Sequence, residues 1–189
     1  MLVSFKYGEK GILFQRRIMS KVYIGIDNGI SGSVGILHQD GTLLAFQSMP
    51  IFSQTSYLKT KVRNWTRINI NELWDLLHHY QEMPYEASNP YTYKCLIERP
   101  MINPTRFQAS MSARGALEAT LIVLEGLSIG YEYCDSKVWQ KMLLPQGCKG
   151  DQLKIASRDV GVRMWPEVQG RHIDCDGLLI AEWARRSNL

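Results

Sequence analysis

Apolar residues along this chain fall into short runs separated by polar turns, with longer helical stripes between them. Residues 22–26 are a β-rich run that ends on Asp27. Asn28-Gly29-Ile30-Ser31-Gly32-Ser33 has turn composition, and 34–37 reads as a second strand. Asp40-Gly41 supplies the positive φ of a tight hairpin turn, after which 43–46 forms a third strand. Three strands on short turns predict an antiparallel meander. Residues 50–69 read as polar and irregular, and 84–92 as a loop containing Pro and Tyr. Between them, Asn71 is the expected cap of a helix with Leu73, Leu76, Leu77 and Tyr80 at helical spacing. Residues 93–97 are a fourth strand ending on Glu98. A long helix is expected over 105–127, with Ala109, Ala116, Ala119, Leu121 and Leu124 as packing positions, followed by a strand over 129–134. Ser136 is the expected cap of a short helix holding Val138, Trp139 and Met142. Further helices are expected over 151–159 and from about Asp174 to Arg186. No internal repeat or linker interrupts the series.

The order β-β-β-α-β-α-β-α-α predicts an α/β fold. Its sheet is five-stranded and mixed, a three-strand antiparallel meander plus parallel strands, with helices on both faces. That is the strand order of the ribonuclease H-like superfold. A length of 189 residues fits one domain that can bury a core without staples. A hydrophobic fraction of 45% with 21% charged residues excludes a disordered chain. No apolar run reaches the length of a membrane helix, and the N-terminus has no secretory h-region. Cys95, Cys134, Cys148 and Cys175 form no C-x-x-C pair and no zinc-finger spacing with histidine. Free thiols and an intracellular, cytoplasmic location are therefore expected.

The net charge of +4 is uneven. Lys6, Lys10, Arg16 and Arg17, opposed by Glu9, place most of the excess before Met19. Residues 1–18 read as an extension, and 19–189 as the folded domain. Net charge alone does not argue for a nucleic-acid partner.

The acids are more informative. Asp27 and Glu98 each close an apolar run, where a lone carboxylate is costly, and Asp176 opens a helix with Leu178, Leu179, Ile180 and Ala181 on its apolar face. Solvated surface groups are the simpler reading of each acid by itself. Strands one and four are neighbours in the expected sheet, so Asp27 and Glu98 would meet at one edge. Converging carboxylates repel one another unless a hard divalent ion with oxygen ligands neutralises them. Two such ions about 3.5–4 Å apart would hold a phosphodiester for hydrolysis.

Four segments carry a family resemblance: I-G-I-D-N-G-I-S-G-S-V-G (24–35), L-I-E-R-P (96–100), S-K-V-W-Q-K (136–141) and D-G-L-L-I-A-E-W (176–183). In this order they resemble RuvC-like Holliday-junction resolvases, most closely the phage-type members. The resemblance implies a homodimer that nicks two strands of four-way DNA symmetrically with Mg²⁺ or Mn²⁺, two ions per active site. It implies no membrane and no nucleotide cofactor. Asp27, Glu98 and Asp176 match the family's metal-binding, catalytic acids. The fourth ligand departs from the family pattern, because position 173 is Ile. Asp174 is two residues before Asp176, and on a formed helix the pair would point about 200° apart. Asp174 could turn inward at a helix cap, whereas His172 has the better spacing and must be neutral to bind metal. Both stay as candidates.

Arg99, Met101, Arg106, Phe107, Gln108, Ser110 and Arg114 follow Glu98 closely and are candidates for contacts to phosphates or unpaired bases. Phe107 and Met111 have an alternative place packed under the helix. Lys137, Lys141, Lys149 and Lys154 match the family's basic segment, or are simply solvated. Lys59, Lys61, Arg63 and Arg67 around Trp65 form a second basic candidate. The small residues Ala109, Ser110, Ser112, Ala113, Gly115 and Ala116 suit a close helix contact across a dimer, or a contact to the sheet. Two rivals share the superfold: a nuclease for flaps or other branched DNA, and an actin-like or sugar-kinase ATPase, whose phosphate loop resembles 27–33.

Overall fold

The computed structural model describes residues 20–55, 64–82 and 91–189. The expected extension at 1–18, and Lys59, Lys61 and Arg63 of the second basic cluster, lie outside the described residues. β1 (Lys21–Ile26), β2 (Ser33–His38) and β3 (Leu43–Ser48) form the antiparallel meander. β4 (Ile51–Thr55) and β5 (Asn64–Ile68) form a separate hairpin. Helix α1 (Ile70–Glu82) leads to β6 (Thr92–Glu98), and α2 (Phe107–Gly126) leads to β7 (Tyr131–Cys134). Three helices follow: α3 (Ser136–Leu143), α4 (Asp151–Met164) and α5 (Asp176–Arg186). The main sheet has the order β3-β2-β1-β6-β7, with β6 parallel to β1 and β7 parallel to β6. This is the mixed five-stranded sheet that the element order implies.

Strand periodicity divides the core into two layers. Val22, Ile24, Ile26, Val34, Ile36, Cys95 and Ile97 face α1 and α2, where they meet Leu73, Leu77, Val123 and Leu124. Tyr23, Leu37, Leu96 and Cys134 face the other way, against Trp139 of α3, Val160 of α4 and the apolar residues of α5. β1 is therefore buried on both sides, which explains its continuous apolar run. Cys95, Cys134 and Cys175 are buried, and all four cysteines are free thiols.

Several sequence expectations are corrected. Ile51–Thr55 and Asn64–Ile68, within the stretch expected to be irregular, are instead the paired strands β4 and β5. Every residue of β4 is exposed, so the strand lacks the apolar–polar alternation that marks a half-buried one. The cap of α1 is Asn69, not Asn71: Leu73 N–H donates to Asn69 O at 3.0 Å, and Asn69 N–H is itself fixed to Pro50 O at 2.9 Å. Ser136 lies inside α3, with Asp135 at the cap position. α4 runs on to Met164, because Gly161 leaves the space that Cys175 fills. The last helix starts at Asp176, not Asp174. Ala109 is exposed, whereas Thr120 and Val123 join Ala116 and Leu124 in the buried face of α2.

α5 lies directly on the backbone of β1 and β2. A Cβ on Gly25 would strike Ala181 N and Gly177 O, one on Gly35 would strike the Leu178 backbone, and one on Gly177 would strike Ser33 O. α5 is thus apolar and buried from Gly177 to Ala181. Its one buried charge, Glu182, is held by Arg185 Nε at 2.7 Å and Arg186 Nε at 2.6 Å. At Gly25 the added methyl has only backbone to displace. Gly25→Ala is expected to destabilise the fold by about 3 kcal/mol, read as a lower denaturation midpoint in urea.

Candidate metal centre

The sheet end beneath α5 gathers four carboxylates. Asp27 immediately follows β1, and its N–H donates to Ser33 O at 3.0 Å, turning the chain into β2. Gly32 is needed in that turn, since a Cβ there would collide with Asp27 O. Glu98 ends β6, the parallel neighbour of β1, with Ile97 in register with Ile26. The two acids thus leave adjacent strands at the same end. Asp176 arrives from the other chain direction, at the N-terminus of α5. It is located by the Gly177 N–H, which donates to Ser33 Oγ at 3.0 Å.

Asp174 precedes the helix, separated from Asp176 by Cys175, whose backbone is not helical (φ −124°, ψ 26°). The 200° objection therefore does not apply, and both side chains turn to the same place. One oxygen each from Asp27, Asp174 and Asp176 lies within 4.8 Å of the others, a grouping that could hold a metal ion. Asp174 is 1% exposed, and its Oδ2 is buried with no hydrogen-bond partner, 3.5 Å from Lys154 Nζ. His172 is outside this group. Its Nδ1 lies 3.2 Å from Asp174 Oδ1 and 3.3 Å from Asp174 O, so it buttresses Asp174. Glu98 stands beside the trio, its Oε2 accepting from Trp139 Nε1 at 2.8 Å. Trp139, expected only as a core residue, is fully buried and also orients an acid. Its place in the S-K-V-W-Q-K segment was the signal available for that role.

The electrostatics record the crowding. Burial, then the charges of Glu98, Asp176 and Asp174, raise Asp27 to about 8. Burial raises Glu98 to about 7, against the hydrogen bond from Trp139. Burial and Asp174 raise Asp176 to about 6. For Asp174 burial also acts upward, yet the His172 hydrogen bond and charge, the Asp176 N–H and Lys154 together hold it below its ordinary value. His172 is raised by its hydrogen bond to Asp174. An all-oxygen donor set, a buried carboxylate oxygen without a donor and mutually repelling acids fit a hard divalent cation.

The candidate contacts beyond the carboxylates divide by position. Met101, Arg106, Phe107 and Gln108 are exposed on the segment leaving Glu98, with Met101 82% and Phe107 70% accessible. Met111 is exposed as well, so neither it nor Phe107 packs under the helix. Ser110 fastens that segment: its Oγ donates to Asn103 O and accepts from Asn103 N–H. Arg99 lies over the Tyr133 ring and 3.7 Å from Asp135, and Arg114 lies 3.9 Å from Glu118. Lys137, Lys141 and Lys149 are exposed. Lys154 belongs to the carboxylate cluster through Asp174.

No protein-family model and no curated protein matches this chain. Solved structures do. Thermus thermophilus RuvC in complex with a Holliday junction substrate matches with a TM-score of 0.51 at 12% identity, over 88% of this chain and 96% of that one. A second Thermus thermophilus RuvC structure matches with a TM-score of 0.50 at 14% identity, over the same shares. The likeness establishes the fold alone: the chain shares the mixed α/β fold of these two structures.

The crowded acids set a pH dependence. A carboxylate whose pKa is higher in the folded than in the unfolded chain holds extra protons when folded. Its contribution to stability is full below about pH 4 and is lost as pH rises through the folded values of about 6, 7 and 8. Metal-free protein should therefore lose thermal stability from pH 5 to pH 8.5. Millimolar Mg²⁺ should restore more of it at the upper end than at the lower, as read by melting in chelator and in Mg²⁺.

Proposed function

We propose that this chain is a metal-dependent, structure-selective DNA endonuclease that resolves four-way junctions by paired symmetric nicks. The observation that carries the reading is the convergence of Asp27, Asp174 and Asp176, with Glu98 beside them, at the sheet end of a RuvC-like fold. The Thermus protein of the same fold binds a Holliday junction, which supports branched DNA as the substrate here.

Asp27, Asp174 and Asp176 would hold Mg²⁺ or Mn²⁺, with Glu98 completing a two-ion site. Bound there, the cations supply electrophilic polarisation of the scissile phosphate and neutralise charge in the transition state. The chain's own groups set the stage. Trp139 fixes the rotamer of Glu98, and His172 and Lys154 hold Asp174 ionised and oriented. A carboxylate oxygen of the cluster that faces away from the cations would accept the proton of the attacking water as the P–O ester bond breaks, the bonding pair leaving on the ester oxygen. Arg106, Phe107, Gln108 and Met101, exposed on the segment that leaves Glu98, would contact the DNA beside the cluster. The cations Arg99, Arg114, Lys141 and Lys149 are further phosphate contacts.

Two nicks need two such sites, and a homodimer supplies them. α2 presents Met111, Gly115 and Ile122 outward on one stripe, with nothing within 4 Å of the place of a Gly115 Cβ. That stripe is the proposed dimer contact. Ala116 faces the core instead and drops out of it.

The test offers the protein, with Mg²⁺ or Mn²⁺, a mobile four-way junction, a flap, a duplex and ATP. Paired, symmetry-related nicks on the junction are expected. Cutting confined to flaps would assign it to another branched substrate, and ATP hydrolysis without cutting would refute the nuclease. Asp27→Asn should bring nicking below detection with junction binding retained in gel shifts.

The two fourth-ligand candidates separate by Mn²⁺ titration. Asp174→Asn should lose stoichiometric Mn²⁺ binding, while His172→Gln should weaken it about ten- to a hundredfold, the usual effect of an outer partner. Equal losses would make His172 a ligand.

A further inference from the structure

We infer that the β4–β5 hairpin is a stacking platform for unpaired bases of the branched DNA, a contact separate from the segment that follows Glu98; this rests on the nuclease reading above. The register places Phe52 opposite Arg67 and Gln54 opposite Trp65. Strand alternation puts these four side chains on one face of the hairpin. Ser53 and Thr66 face the other way and bond to each other at 3.1 Å, and on that side Ile68 enters the core. Among the described residues nothing buries the first face: Phe52 is 42% and Trp65 64% exposed, and Gln54 and Arg67 are exposed beside them.

Two largely exposed aromatic rings on a two-stranded ribbon add little to the buried core. Their chemistry suits a nucleobase: rings for stacking, an Arg guanidinium 5.4 Å over the Phe52 centroid, and an amide for a base edge. Charge complementarity selects DNA over a protein partner. From Gly41 to Asn71 the sequence has no Asp or Glu, yet it has Lys59, Lys61, Arg63 and Arg67.

Position supports the same occupant. The hairpin grows from the sheet end that holds the carboxylates. Ser48 at the close of β3 pairs with Ser33, Met49 N–H donates to Gly32 O at 2.8 Å, and Asn69 N–H closes the base on Pro50 O. Asp27 N–H bonds to that same Ser33. DNA lying across the carboxylates thus reaches the hairpin without changing ends of the molecule.

The test measures affinity by fluorescence anisotropy in chelator, for a four-way junction, a short oligo-dT strand and a blunt duplex. Phe52→Ala/Trp65→Ala should weaken oligo-dT and junction binding by about ten- to a hundredfold, from the usual loss per stacked base. Duplex affinity should hold within about twofold, since paired bases hide their faces. Trp65→Phe should retain most of the binding, whereas Trp65→Leu, apolar but without a π face, should not. All these sites are exposed, and melting curves check that the variants fold. Wild-type junction binding with unchanged affinity in the double variant would overturn the platform and leave the nuclease reading standing. An equal loss on all three DNAs would reduce the hairpin to a general electrostatic contact and also overturn it. A wild-type protein that binds no DNA would overturn both.

Discussion

The contact on which this structure turns is backbone on backbone: α5 pressed onto β1 and β2 through Gly25, Gly35 and Gly177. A side chain at any of the three would push the helix off the sheet. The approach buries the Leu178–Ala181 stretch, and it brings the Gly177 N–H within hydrogen-bond distance of Ser33 Oγ. Ser33 also accepts from Asp27 N–H through its carbonyl. One residue therefore ties the end of β1 to the start of α5, and the distance between Asp27 and Asp176 follows from that tie. Helix N-termini favour carboxylates, so Asp174 and Asp176 gain some compensation there for their mutual repulsion.

What the glycines assemble is electrostatically unfavourable. Three carboxylates close together and a fourth beside them, largely withdrawn from water, favour their protonated forms. Asp174 alone is held ionised, by His172 and Lys154. This inequality gives the cluster one fixed charge and several that a cation can displace protons from. Among the described residues the other buried acid, Glu182, is closed by ion pairs with Arg185 and Arg186, so the uncompensated buried carboxylates gather in the one cluster.

The surroundings of the cluster separate supports from contacts. Trp139, His172 and Lys154 each touch a carboxylate and act through it. Met101, Phe107, Trp65 and Phe52 remain open to solvent. Single exposed apolar side chains are ordinary on a protein surface, and only contiguous patches bear on binding. Here they rise from two chain segments, one after β6 and one after β3, that leave the sheet at the same end.

The sequence by itself determined the sheet and its acids. Asp27 and Glu98 were legible because each ends a buried run, where the local chain already declares burial and direction. The meander, the crossovers and the two-sided core followed from period-two and helical spacing, which are local properties. The β4–β5 hairpin was not legible, because an exposed strand has no burial pattern to read. Nor was the grouping of Asp174 with Asp27 and Asp176, with His172 hydrogen-bonded to it. That grouping depended on whether the backbone at Cys175 was helical, and α5 docks there on glycines more than a hundred residues away. Contacts between distant segments decide such matters, and only the tertiary structure contains them.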